Sequence, residues 1–246
     1  MTQQVKRATL YRMVMPTHVC PYGLKSKRLL ERHGYAVEDH WLTTRAQTDA
    51  FKAEHHVETT PQTFIDGRRI GGNDDLRRFF GRHVPAKGET SYTPVIAVFG
   101  MAAAMALAAS VAAYGAPLTI RAGEWFVSFA MCLLAMLKLQ GVEAFSTMFL
   151  NYDLLARRWV PYAYAYPFLE ALAGVLMAAG ALTWLSVPVA LFIGTIGAVS
   201  VAKAVYVDKR DIECACVGGS SNVPLGFVSL TENLMMIAMA VWMIFA

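Results

Sequence analysis

Two rhythms of apolar and polar positions divide this chain. Over the first third, short apolar runs are broken by charges. Thr9–Val14 alternates as a strand does and ends in a turn. From Leu24 through Leu29 and Leu30 the apolar positions recur at helical spacing until His33-Gly34 stops them. Tyr35–Leu42 predicts a second strand and Thr44–His55 a second helix. Gln62–Ile65 and Arg68–Ile70 flank Asp66-Gly67, the residue pair that a tight hairpin favours. Gly71-Gly72-Asn73-Asp74 then opens a last helix carrying Leu76, Phe79 and Phe80. A helix joins the first two strands, so they should run parallel.

Beyond a polar connector the rhythm changes. Five apolar runs follow, at Pro94–Tyr114, Glu124–Leu150, Pro161–Leu185, Val187–Val207 and Leu225–Phe245. Each nears the roughly 20 residues that cross a hydrocarbon core as a helix. The predicted architecture is an α/β domain over residues 1–83, a linker over 84–93 and an all-α polytopic membrane helical bundle over 94–246. A polar, Gly/Ser-rich loop, Asp211–Gly226, separates the last two apolar runs and carries Cys214 and Cys216.

Composition sharpens that division. Of the 22 lysines and arginines, 15 lie before Tyr92, so the first domain is basic while the remainder carries few charges. A net charge of +4 spread this way suits an anionic membrane surface and gives no reason to expect nucleic acid. The four cysteines, Cys20, Cys132, Cys214 and Cys216, are too few for a disulfide scaffold. The N-terminal Met-Thr-Gln-Gln-Val-Lys-Arg lacks the apolar core of a signal peptide, which leads us to expect the first domain in the cytoplasm. Positive charges flanking the spans agree: with the N-terminus inside, Arg157, Arg158, Lys209 and Arg210 all fall on the cytoplasmic side. That orientation puts the Cys214/Cys216 loop on the same side as Cys20.

Three groups of residues carry candidate chemistry. Cys20 sits just before a helix with Pro21 next to it, where the helix N-terminus favours a nucleophilic thiolate. Cys214 and Cys216, one residue apart, close only into a small ring whose disulfide is readily reduced; as thiolates they are half of a soft-metal site. Within the spans, Lys138 and Glu170 lie at similar depth, as do Lys203 and Glu232. Ionisable residues there are costly and face a bundle interior, either as ion pairs that hold helices together or as part of a pathway.

Cys20-Pro21-Tyr22, the Thr59-Thr60-Pro61-Gln62-Thr63-Phe64-Ile65-Asp66-Gly67 segment and Ile70-Gly71-Gly72-Asn73-Asp74-Asp75-Leu76 together resemble a glutaredoxin over about residues 8–82. The resemblance implies a thioredoxin fold, glutathione as cofactor, a cis Pro61 beside Cys20, and glutathione contacts from Tyr22, Thr60, Pro61, Gly72, Asn73 and Asp74. Two departures stand out. Gly23 replaces the second active-site cysteine, so a disulfide at Cys20 needs a partner from outside the motif. The family's lysine before the motif is also missing, leaving Arg12 and Lys25 as candidates for the glycyl carboxylate.

The membrane part resembles the MauE/DoxX group of redox-associated membrane proteins, through Lys138-Leu-Gln-Gly and the Cys214-Ala-Cys216-Val-Gly-Gly and Asn222-Val-Pro-Leu-Gly segments. That group implies thiol–disulfide handling for exported proteins. The sequence therefore leads us to expect a multi-pass inner-membrane oxidoreductase in which Cys20 and glutathione act on Cys214 and Cys216. The alternative is a transporter of a soft metal ion or thiol conjugate that uses the same cysteines.

Overall fold

A computed structural model describes residues 6–86, 89–210, 212, 214 and 223–245. The chain forms two compact units, Met1–Lys87 and Gly88–Ala246.

In the first unit, strand β1 (Lys6–Met15) is central. After it come β2 (His18–Val19), α1 (Pro21–Arg32), β3 (Tyr35–Leu42), α2 (Arg45–His55), β4 (Gln62–Ile65), β5 (Arg68–Gly71) and α3 (Asn73–Phe79). β1 runs parallel to β3 and antiparallel to β4, which pairs antiparallel with β5. This is the thioredoxin-like α/β arrangement. β2 was not anticipated from the pattern: its two residues fold back on Val14 and Met15, where two bridges are too short to leave an alternation to read.

Local chemistry sets the boundaries. Thr44 caps α2 by accepting from Gln47 N at 3.1 Å, while Gln47 Oε1 accepts from Thr44 N at 3.3 Å, a reciprocal capping box. Asp66 and Gly67 both adopt positive φ, at 48° and 76°, the mirror-image turn that matches strand twist. Ala8, Leu29, Leu30, Ile65 and Leu76 form the core between sheet and helices.

The second unit is helical: α4 (Thr93–Tyr114), α5 (Ile120–Leu139), α6 (Val142–Phe149), α7 (Pro161–Ala179), α8 (Thr183–Ala202) and α9 (Phe227–Phe245). A π-helical turn, Lys203–Val207, prolongs α8. All but α6 are long and apolar enough to span a membrane. The second apolar run is two helices rather than one, because the chain breaks at Gln140-Gly141 before α6. The third run ends at Ala179, where Gly180 at φ 63° caps the helix, and the fourth starts at Thr183.

α5 packs on α4 and α7, α8 packs on α7 and α9, and α9 also reaches α5. Small residues make the close crossings. A Cβ on Gly174 would lie 2.9 Å from Cys132 Sγ and 3.1 Å from Ser128 O, and one on Gly194 would lie 3.2 Å from Asn233 O. Large apolar side chains such as Phe168, Trp184, Phe192 and Phe245 point outward, as lipid-facing residues do. The bundle is thus built as a multi-pass membrane protein.

Candidate functional sites

Each unit holds a cysteine in a defined setting. Cys20 is the N-cap of α1, with extended backbone at φ −63° and ψ 113°, and is only 6% exposed. Pro21 takes the first helical position, where no N–H is required. The Cys20 Sγ atom lies 4.0 Å from Thr60 O, next to the cis Thr60–Pro61 bond. A Cβ on Gly72 would come within 3.7 Å of Pro61 O, so the start of α3 lies against the same loop. Asn73 Nδ2 donates to Ser26 Oγ at 3.0 Å and to Tyr22 O at 3.5 Å, tying α3 to α1. The fold therefore brings Cys20, Tyr22, Thr60, Pro61, Gly72 and Asn73 together from three separate segments. Asp74 instead pairs with Arg77 at 3.5 Å. It lines a 370 Å³ cleft with Tyr22, Lys25, Arg28 and Arg77.

Arg12 does not fit a role in binding a ligand carboxylate. Its side chain is buried, and Nε and one terminal nitrogen each donate to Asp39 at 2.8 Å. Lys27 adds a third contact to Asp39 at 3.0 Å. Burial alone would push the Asp39 carboxyl up, but hydrogen bonds from Arg12, Trp41 and Lys27, with the Arg12 charge, bring it down to about 2. The two glycyl-carboxylate candidates thus separate: Arg12 is committed to Asp39, whereas Lys25 is exposed beside the Tyr22 ring, 5.5 Å from its centroid.

The second site lies inside the bundle. Lys138, near the end of α5, donates to Glu170 Oε1 and Oε2 of α7 at 2.8 and 2.7 Å, and to Glu232 Oε1 of α9 at 2.6 Å. All three side chains are essentially without solvent contact. The Tyr166 ring lies 5.3 Å from Lys138 Nζ. The expected pairing of Lys203 with Glu232 does not occur. Lys203 is half-exposed, with Asp208 Oδ2 at 3.9 Å. Matching depth fixes a residue's height in the bundle but not the direction in which its side chain leaves the helix. Glu232 therefore joins Lys138 instead.

Beside this cluster sits Cys214, fully buried and disulfide-bonded. Its N–H donates to Val223 O at 2.7 Å, and Leu225 N donates to Ile212 O at 2.7 Å, so the two ends of the loop pair in antiparallel fashion. The Cys214 sulfur is 2.9 Å from Ser229 Oγ, in the first turn of α9. Cys216 lies outside the described residues. Cys132 is a half-buried free thiol packed against α7. Among the described residues, no group of three or more His, Cys, Asp or Glu is placed to hold a metal ion.

Ser229, Asn233, Tyr152 and Tyr166 were not singled out from the sequence. With Lys138 and Glu232 they line a cavity of about 10 Å³. Ser229, Glu232 and Asn233 stand at i, i+3 and i+4, one face of a helix, and that spacing was the available signal.

Comparison with known proteins divides the chain in the same way. The family model for methylamine utilisation protein MauE matches residues 116–246, just over half of the chain, and the glutaredoxin model matches residues 8–70. Hybrid peroxiredoxin hyPrx5 of Haemophilus influenzae is 39% identical over 61 residues, 25% of this chain and 25% of that protein. Glutaredoxin 1 of Rickettsia typhi is 38% identical over 60 residues, 23% of this chain and 58% of that protein. The chain thus spans a quarter of one curated relative and less than two thirds of the other. The crystal structure of glutaredoxin 1 from Francisella tularensis complexed with cacodylate aligns at 25% identity, covering 31% of this chain and 93% of that one, with a TM-score of 0.28.

Proposed function

This chain belongs to the MauE family and carries a glutaredoxin domain ahead of its membrane bundle, and from that premise we propose that it performs glutathione-linked thiol–disulfide exchange at the membrane, with Cys20 acting on the Cys214/Cys216 loop. The observation that carries the reading is Cys20 at the head of α1 beside the Thr60–Pro61 backbone, with Gly23 where an internal resolving thiol would stand. A thiol so placed reacts through mixed disulfides and needs a second thiol from elsewhere. The disulfide at Cys214 supports the loop as that partner.

In the reducing direction the chemistry balances as follows. The Cys20 thiolate attacks one loop sulfur, forming a mixed disulfide and releasing the other loop sulfur as a thiolate. A glutathione thiolate then attacks the Cys20 sulfur and releases the second loop thiolate. A second glutathione thiolate frees Cys20 and leaves as glutathione disulfide. Two glutathione thiols are oxidised and one loop disulfide is reduced, with two protons taken up by the loop thiolates. In this reading Tyr22, Thr60, Pro61, Gly72, Asn73 and Asp74 bind glutathione, Cys20 and the loop share the cytoplasmic face, and the loop serves an exported thiol protein.

Trapping tests the relay. The single variant Cys214→Ser should accumulate a mixed disulfide between Cys20 and Cys216, whereas Cys216→Ser leaves only the buried Cys214 and should trap far less. If Cys20→Ser leaves glutathione-driven reduction of the loop unchanged, the relay is wrong. After reduction of the loop with membrane-permeant dithiothreitol, an impermeant maleimide should label it only once the cells are lysed; labelling from outside would overturn the shared face.

A further inference from the structure

The buried ions beside Cys214 have no task in the exchange as written, yet their geometry suits one. Lys138 spends its three ammonium hydrogens on three carboxylate oxygens of Glu170 and Glu232. One cation faces two carboxyl groups in a site cut off from water. An unbalanced charge is expensive there. Ser229 lies one helical turn before Glu232, and its hydroxyl is 2.9 Å from the Cys214 sulfur. Ser229, Glu232, Asn233 and Lys138 share the walls of a cavity of about 10 Å³, roughly the size of one water.

We infer that the two carboxyls facing Lys138 share one proton, that Ser229 is the proton donor to Cys214 and that the Lys138–Glu170–Glu232 cluster resupplies it. Cys214 is fully buried, so an incoming thiolate cannot reach its sulfur and must attack the other sulfur of the disulfide. The S–S bond breaks, a bond forms between the attacking sulfur and the partner sulfur, and Cys214 leaves with the electron pair as a thiolate. The Ser229 hydroxyl gives that thiolate its proton, and the carboxyl pair returns one to Ser229 across the cavity. Solvent then re-protonates the cluster. In the oxidising direction the same groups accept the proton of the Cys214 thiol. The inference rests on the redox role proposed for Cys214, but not on Cys20.

The test uses the full-length Cys20→Ser protein in nanodiscs, with dithiothreitol as reductant, which takes the relay out of the assay. Reduction of the Cys214 disulfide is followed by alkylation mass shift, and the rate is divided by the dithiothreitol thiolate concentration at each pH. Among the described residues, the titratable groups facing the site are Lys138 of α5, Glu170 and Tyr166 of α7, Tyr152 of the loop after α6, and Glu232 of α9. The facing part of α8 contributes Gly197 and Val201, which do not titrate.

In the parent the normalised rate should fall as rising pH strips the shared proton. Glu232→Gln should lower it about tenfold or more at neutral pH and flatten the profile, while Glu232→Asp, which keeps an acid, should restore most of both. An unchanged profile in Glu232→Gln overturns the inference. So does a Glu232→Asp protein as slow as Glu232→Gln, because packing alone would then explain the loss. Should Glu232→Gln fail to fold, Ser229→Ala carries the test, since it leaves the ion cluster intact: a slowed rate supports the inference and an unchanged one refutes it. None of these outcomes decides whether Cys20 relays electrons, and failure of the trapping experiment would leave this assay untouched.

Discussion

The side chain of Arg12 fills the space that a Cβ on Gly23 would need. Such an atom would lie 2.7 Å from Arg12 Cβ and 2.8 Å from Arg12 Cδ. Arg12 cannot easily withdraw, because Asp39 holds two of its nitrogens. Gly23 is therefore required by packing as well as leaving Cys20 without a neighbouring thiol.

Restoring a Cys-x-x-Cys pair should then fail sterically. Gly23→Cys and Gly23→Ser should each destabilise the N-terminal unit by about 1–3 kcal/mol, the usual cost of overpacking. Thermal unfolding of the two variants would check this. A Gly23→Cys protein as stable as the parent would show that Arg12 yields readily.

The Arg12–Asp39 pair makes a pH prediction. The Asp39 carboxyl lies at about 2 in the folded chain, below its ordinary 3.8. Its stabilisation should be complete above the unfolded value and should be lost as pH falls through the folded one. The amount is about 2 kcal/mol. Hydroxyl-radical footprinting of residues 6–86 across a urea titration should show a midpoint that declines in that acid window. Asp39→Asn should start from a lower midpoint and lack that decline.

Within the bundle, the three members of the ion cluster should not be equivalent. Lys138→Met leaves two carboxyl groups facing each other without their cation, whereas Glu170→Gln leaves Lys138 paired with Glu232. Lys138→Met should be the more destabilising, by roughly the 3–5 kcal/mol seen when buried pairs are broken in soluble proteins. Adding Glu170→Gln to it should recover part of the loss. Thermal melting in detergent would measure both effects, and strict additivity would contradict the cluster.

Two glycines in the spans should also behave differently. A Cβ on Gly197 would run into the Asn233 carboxamide, whose nitrogen donates to Ser229 O at 2.7 Å. Gly100 has nothing within 4 Å of such an atom. Gly197→Ala should lower the melting temperature, corresponding to about 1–3 kcal/mol. Gly100→Ala should leave it level or raise it slightly, as alanine favours helix.

Much of this protein could be read from local pattern alone. Hydrophobic period, caps and the Asp66-Gly67 turn specify the βαβ order and the hairpin, because each depends on residues a few positions apart. Span number followed from length and apolar content. The exact span limits did not: Gly180 and the break at Gln140-Gly141 act through backbone geometry that an apolar count passes over. Cys20 and its neighbours were legible because the segments meeting around it carry recognisable motifs. Only the tertiary structure decided which buried charges meet. Sequence spacing gives a residue's depth in the membrane but not its azimuth, so Lys138 gathered two acids and Lys203 turned toward Asp208. The same holds for Ser229 against Cys214 and for Arg12 against Gly23. Each contact joins residues from different segments, and their meeting depends on how those segments pack.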